Sequence, residues 1–161
     1  MVKNSKNLLI KFIFLVSIIA LVSAFIIEYI LGHQPCNLCI LERIPYLLAI
    51  IVVLLNYKFI QFEKFFILLL IIIFFAGSIL SLYHLGIEQA FIEESLVCDL
   101  KNGLNLLSKE DILKQLQEKS VNCKDVTFKI FGFSLTTLNI IVSLLITIIF
   151  TKIYITYEKN K

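Results

Sequence analysis

The sequence predicts an all-α membrane protein: a four-transmembrane-helix bundle with a long extracytoplasmic loop carrying a short amphipathic helix. Three observations lead there. Of 161 residues, 59% are hydrophobic and the mean hydropathy is +0.92, whereas a soluble domain is about 45–50% apolar. A chain this short leaves too much of its surface exposed to hide that apolar content from water. The apolar residues are also gathered into runs near the roughly 20 helical residues needed to cross about 30 Å of hydrocarbon.

The expected spans are 8–31, 39–56, 65–83 and 131–152, with outer loops at 32–38 and 84–130, in a single integral membrane domain 1–161. The first run is interrupted only by Lys11 and Glu28 near its ends. The second is the least obvious. Ile44–Leu55 is only 12 residues, about 18 Å of helix, so the span must recruit residues upstream. That places Cys36-Asn37-Leu38-Cys39 at its outer end and Arg43 about one turn inside. Pro45 is tolerated near a helix start or as a kink. A competing reading takes Lys3, Lys6 and the apolar run to Val22-Ser23-Ala24 as a cleaved signal peptide. Continuation of the run beyond Ala24 favours a span.

Short-flank cations set the orientation. Lys3 and Lys6 precede the first span, Lys58 and Lys64 lie between the second and third, and Lys152, Lys159 and Lys161 follow the fourth. The first loop carries no Lys or Arg. Both termini are therefore expected in the cytoplasm and both loops outside. In the long loop, Ser108-Lys109-Glu110-Asp111 is a capping signal, and Ile112, Leu113 and Leu116 lie on one side of the helix expected over 109–119. That helix can lie on the membrane surface or merely pack. A net charge of +3 gives no nucleic-acid footprint.

All four cysteines fall on the outer side. Cys36 and Cys39 form a C-x-x-C; Cys98 and Cys123 bracket 24 residues of the long loop. An oxidising compartment permits disulfides, and four cysteines allow three connectivities. Two inert staples are one reading, and a 98–123 bridge would contribute about 3 kcal/mol in the chain-entropy model. A C-x-x-C ring restrains little chain, and such pairs are more often redox-active. A Cys₄ zinc site is a third reading, disfavoured because the second pair lacks knuckle spacing. Arg43 lies four residues after Cys39, on one helical face with it. A helix start and a neighbouring Arg both stabilise a thiolate, so Cys39 is the expected reactive sulfur. Arg43 can instead snorkel or pair with Glu28 or Glu42.

These residues resemble the DsbB-type disulfide bond formation proteins of bacterial inner membranes. The resemblance rests on Gln34-Pro35-Cys36-Asn37-Leu38-Cys39-Ile40-Leu41-Glu42-Arg43 with Ile44-Pro45-Tyr46, then Tyr83-His84-Leu85-Gly86-Ile87-Glu88, then Cys123-Lys124-Asp125, Phe131-Gly132-Phe133-Ser134-Leu135 and Asn139. The blocks stand in family order and cover nearly the whole chain. Many relatives carry Trp and Gly-Pro before the third cysteine; here the stretch is Ala90-Phe91-Ile92-Glu93-Glu94-Ser95-Leu96-Val97, and the chain has no Trp.

The resemblance implies a quinone-dependent protein-disulfide oxidoreductase with catalytic Cys36, Cys39, Cys98 and Cys123, paired as Cys36–Cys39 and Cys98–Cys123. It would reoxidise a soluble DsbA-type thiol oxidase at Cys98–Cys123. Two electrons would then pass through Cys36–Cys39 to ubiquinone or menaquinone, with Arg43 and His84 binding the quinone. His84 can equally be an interfacial histidine with satisfied hydrogen bonds. Glu88 is expected as a loop or interface carboxylate, and Tyr46 faces either the quinone or a neighbouring helix. The implied location is the bacterial inner membrane, with cysteines on the periplasmic side. Membrane lipid and quinone are the other expected contacts, nucleic acid is not, and a bundle of this size can act as a monomer. A vitamin K epoxide reductase-like arrangement fits less well, since there the loop cysteines precede the C-x-x-C. The non-enzymatic alternative is a small membrane assembly protein with two structural disulfides.

Overall fold

The computed structural model describes residues 2–93, 123–124, 129–130 and 132–159. Among the described residues, four helical segments are long and apolar enough to cross a membrane: Leu8–Ile30, Asn37–Lys58, Ile60–Glu88 and Leu135–Thr156. A helix satisfies its own backbone groups, which hydrocarbon cannot do. The expected loop helix over 109–119 and Cys98 lie outside the described residues.

Helix α1 (Val2–Phe25) gives way to a π turn, Ile26–Ile30. Its end is closed by the Leu31 and His33 N–H groups, which donate to the Ile26 and Ile27 carbonyls at 3.1 Å each. Two helices then share the second span. The short α2 (Asn37–Leu41) is followed by a turn at Glu42 and Arg43, and α3 (Ile44–Lys58) begins there. Pro45 stands in the first turn of α3. It has no N–H to return to the carbonyl four residues back, so the bend falls where that bond is missing.

A 3₁₀ turn (Ile60–Phe62) leads into α4 (Glu63–Glu88). This helix runs five residues past the expected exit at Tyr83. It stops at Gln89, where Phe91 and Ile92 fold back and donate to the Gly86 carbonyl at 2.9 and 3.1 Å. A Cβ on Gly86 would meet the end of the Ile92 side chain at 2.6 Å, so the glycine gives that side chain its place against α4. The last span starts later than expected. Lys129–Ile130 (β1) pairs antiparallel with Phe133–Ser134 (β2), and α5 (Leu135–Lys159) follows. Ser134 Oγ accepts from the Thr137 N–H at 3.3 Å, an N-cap that fixes the start.

The most extensive helix contact is α4 against α5; α1 packs on α3, and α3 on α4. The core contains Ile13, Ala49, Val53, Phe74 and Phe150, all nearly inaccessible. Phe12, Leu15, Leu47, Ile51, Phe75, Ile79 and Leu145 point outward, as suits a surface solvated by lipid. Lipid tails are as apolar as leucine, so helices associate through close packing of small residues. At Gly77 a Cβ would stand 3.0 Å from Pro45 Cγ, so the glycine lets the bend of the second span press directly on α4.

Candidate functional site

One end of the bundle gathers the end of the first span, the start of the second, the end of the third and the start of the fourth. A cavity of about 420 Å³ opens there. Val16, Ile19, Ala20 and Ile27 form its apolar α1 side; Cys36, Cys39, Arg43, His84, Glu88 and Asn139 supply the chemistry.

Cys36 and Cys39, the pair expected to form a disulfide, stand side by side as free cysteines. Their sulfurs are 2.7 Å apart, so the expected pair is brought together. The structure also reassigns the helix-start advantage. Cys36 is the N-cap of α2, and its Sγ accepts from the Cys39 backbone N–H at 3.3 Å. Its thiol pKa is lowered to about 5, chiefly by the hydrogen bond from the Cys39 side chain. The neighbouring His84 acts in the same direction, and burial opposes both. The helix-start position that favours a thiolate thus belongs to Cys36, whereas the sequence pointed to Cys39.

His84 is 1% exposed and lies near the end of α4. Its Nδ1 lies 2.8 Å from Glu42 Oε1, and its Nε2 lies 3.5 Å from Cys36 Sγ. An ionised carboxylate only accepts, so Nδ1 carries the proton toward Glu42 and Nε2 faces the sulfur. Thr136 Oγ1 lies 3.2 Å from the same Nδ1 and donates to Glu88 Oε1 at 2.6 Å. Asn139 donates to Glu42 Oε2 at 3.0 Å and to Ser81 Oγ at 2.8 Å, and accepts from the Tyr46 hydroxyl. Tyr46 also stands edge-on to Phe74.

Arg43 does not share a face with Cys39 on a continuous helix, because α2 ends at Leu41 and the turn breaks the i,i+4 register. Its guanidinium donates to Glu28 Oε2 at 2.6 Å and lies over the Phe25 ring. Glu28 sits in the π turn. Both residues line the cavity, so Arg43 remains at the site although its partner comes from the π turn of the first span.

Cys123 is disulfide-bonded, which removes it from any four-cysteine zinc set. It is buried in one apolar cluster with Cys36, Leu38 and Ile87. The sequence reading missed the organising roles of Glu42, Thr136 and Ser81; Glu88, expected as a loop or interface carboxylate, stands at the end of α4. Polar residues inside a membrane span are functional candidates by default, and that signal was available for Glu42, Ser81 and Asn139.

The fold and site define a helical membrane protein with a close cysteine pair beside a disulfide-bonded cysteine. The family model for disulfide bond formation protein DsbB matches residues 6–153, and the chain belongs to that family. It is 32% identical over 151 residues to an uncharacterized protein, RP370, of Rickettsia prowazekii (strain Madrid E), covering 90% of this chain and 85% of that one. No solved structure matches.

Proposed function

We propose that this protein is a quinone-dependent thiol oxidoreductase that reoxidises a soluble DsbA-type partner. The observation that carries the reading is the free Cys36/Cys39 pair beside disulfide-bonded Cys123, with the pair opening onto an apolar-walled cavity. The chain's fourth cysteine is Cys98. The partner's thiolate attacks the Cys98–Cys123 disulfide at Cys98 and releases the Cys123 thiolate. A second partner thiol resolves the mixed disulfide, so the partner leaves oxidised and the loop pair reduced. Exchange with an oxidised Cys36–Cys39 then restores the loop disulfide and leaves Cys36 and Cys39 as thiols. The cavity cysteines and the loop cysteines thus divide the work between a lipid-soluble acceptor and a water-soluble donor.

The cavity fits a quinone headgroup: it is mostly apolar, with a few convergent polar groups. Arg43, His84 and Asn139 are the residues that would hold its carbonyl oxygens, and Cys39 lines the same space. When bound, ubiquinone or menaquinone supplies a two-electron, two-proton acceptor with a potential high enough to oxidise a strongly oxidising partner. His84 takes the Cys36 thiol proton at Nε2, and Glu42 stabilises the resulting imidazolium through Nδ1. Arg43 offers a fixed positive charge toward developing negative charge. Short-flank lysines support cytoplasmic termini and a periplasmic site in a bacterial inner membrane.

The test is quinone reduction by the purified protein in detergent, supplied with a reduced DsbA-type partner. Turnover lost in both Cys39→Ser and Cys98→Ser, with a raised quinone KM in Arg43→Ala, supports the relay. Absence of turnover with either quinone class, with the loop disulfide inert to the partner, returns the protein to a structural role.

A further inference from the structure

We propose that the dithiol form of this site binds one thiophilic divalent cation of the zinc class through Cys36, Cys39 and His84. The two Sγ atoms and a His84 ring nitrogen all lie within 4.8 Å of one another. A tetrahedral zinc has bonds of about 2.3 Å to sulfur and about 2.0–2.1 Å to nitrogen. Those lengths place sulfur and nitrogen ligands roughly 3.5–3.6 Å apart. Cys36 Sγ and His84 Nε2 are already 3.5 Å apart. The sulfurs, at 2.7 Å, must open to about 3.8 Å. Both line the cavity, which gives room for that movement.

Two further features point to a cation. Glu42 holds His84 Nδ1 at 2.8 Å and aims Nε2 at the sulfurs. A carboxylate behind the distal nitrogen is the usual support of a metal-bound histidine, fixing its tautomer and raising its basicity. Glu88 supplies the second. Its Oε2 is buried without a hydrogen-bond partner, its side chain is 7% exposed, and its Oε1 lies 3.9 Å from His84 Nε2. It lines the same cavity, as a buried carboxylate beside the cluster rather than within it. Charge favours the site as well: two thiolates neutralise a divalent ion, so the complex places no net charge from these three ligands in an apolar environment.

Binding releases the two thiol protons and moves no electrons. A Cys36–Cys39 disulfide has no thiolate to offer, so the site exists only in the reduced protein. If the proposed relay operates, an ion seated here holds the pair reduced and arrests turnover; the binding itself does not depend on that relay.

The experiment uses the full chain in detergent with Cys98→Ser and Cys123→Ser, leaving only this pair to supply thiolates. Cadmium is titrated into the reduced protein and the thiolate-to-cadmium charge-transfer absorption is followed. The expected result is saturation at one cadmium per chain, with no band after Cys36 and Cys39 are oxidised to a disulfide. His84→Asn and Glu42→Gln should each weaken binding about 10–100-fold. No saturable band, or unchanged affinity in His84→Asn, overturns the proposal. A second measurement guards against variants that fold poorly: in the reduced chain with all four native cysteines, zinc should slow alkylation of Cys36 and Cys39. Alkylation indifferent to zinc also overturns it. Neither quinone nor partner is present in these assays, so failure of the cation site and failure of the relay are separately visible.

Discussion

The two ends of this bundle are built on different principles. At the end remote from the cysteines, Ile13, Val53 and Phe150 belong to a mostly apolar core, where the few buried polar groups include Asn56 Oδ1, left without a hydrogen-bond partner among the described residues. At the cysteine end, Glu42, Ser81, His84 and Thr136 are also buried, but each is held by named hydrogen bonds. Burying titratable groups is expensive unless they are paired. An apolar filling would hold four helices together as well or better. The contrast therefore locates function: the remote end maintains the bundle, and the cysteine end sacrifices stability to keep ionisable groups beside sulfur.

The sharpest way to break the comparison is Cys39→Ser. It changes one atom at the polar end and should leave the thermal transition near that of the parent. Turnover with a reduced partner and quinone should fall to the uncatalysed rate, because a hydroxyl can neither form nor exchange a disulfide. A variant that still turns over would remove Cys39 from the relay.

Phe150→Ala probes the other end. Phe150 is 2% exposed, and truncating a buried aromatic in a soluble core costs about 3–5 kcal/mol. In lipid the transfer part is small, so the loss should sit near the lower figure, about 3 kcal/mol. Denaturation in mixed micelles measures it. The folded fraction should keep its kcat; a large fall in kcat at full folding would mean that the two ends are not separable.

His84→Ala tests the polar end without touching sulfur. It removes the group that faces Cys36 and leaves Glu42 one partner short. General acid–base assistance of this kind is worth about 10²–10⁴ in rate, and a loss near the lower figure is expected. The diagnostic readout is the pH profile of turnover, which should shift because thiol deprotonation then falls to water. A profile of unchanged shape with reduced amplitude would make His84 a packing residue.

These residues also show how far the sequence could be read. The four spans and the C-x-x-C at a span end were legible because hydrocarbon thickness and a twenty-residue run are one-dimensional quantities. Boundaries were less so. Tyr83 looked like an exit because His84 and Glu88 are polar, yet α4 continues through both since they find partners in the turn at residues 42–43 and on α5. Cys39 looked like the helix-start thiolate, but the N-cap falls three residues earlier on Cys36. The Arg43 partner was open between Glu28 and Glu42. The turn at residues 42–43 separates the two side chains, sending Arg43 to α1 and Glu42 to α4 and α5. Each miss concerns which distant residue supplies the second half of a polar pair, and helical periodicity carries no information about that.

The finest test of the comparison lies between Arg43 and Glu28, where the polar end meets α1. Arg43→Ala should raise the quinone KM about tenfold, consistent with roughly 1.5 kcal/mol for one hydrogen bond to a charged group. Glu28→Gln should do less. The ion pair is partly accessible, with side chains 19% and 22% exposed, and pairs of that kind contribute about 0.2–1 kcal/mol. Gln keeps a hydrogen-bond acceptor for the guanidinium but removes the charge that clamps it over Phe25. A loosened Arg43 is less well placed toward developing negative charge, so the quinone KM should rise by no more than about fivefold while kcat holds. A Glu28→Gln effect as large as that of Arg43→Ala would assign Glu28 its own contact in the cavity. No effect would show that the Phe25 ring and the turn at residues 42–43 orient Arg43 without it, and that the π turn of the first span owes its glutamate to something other than the arginine.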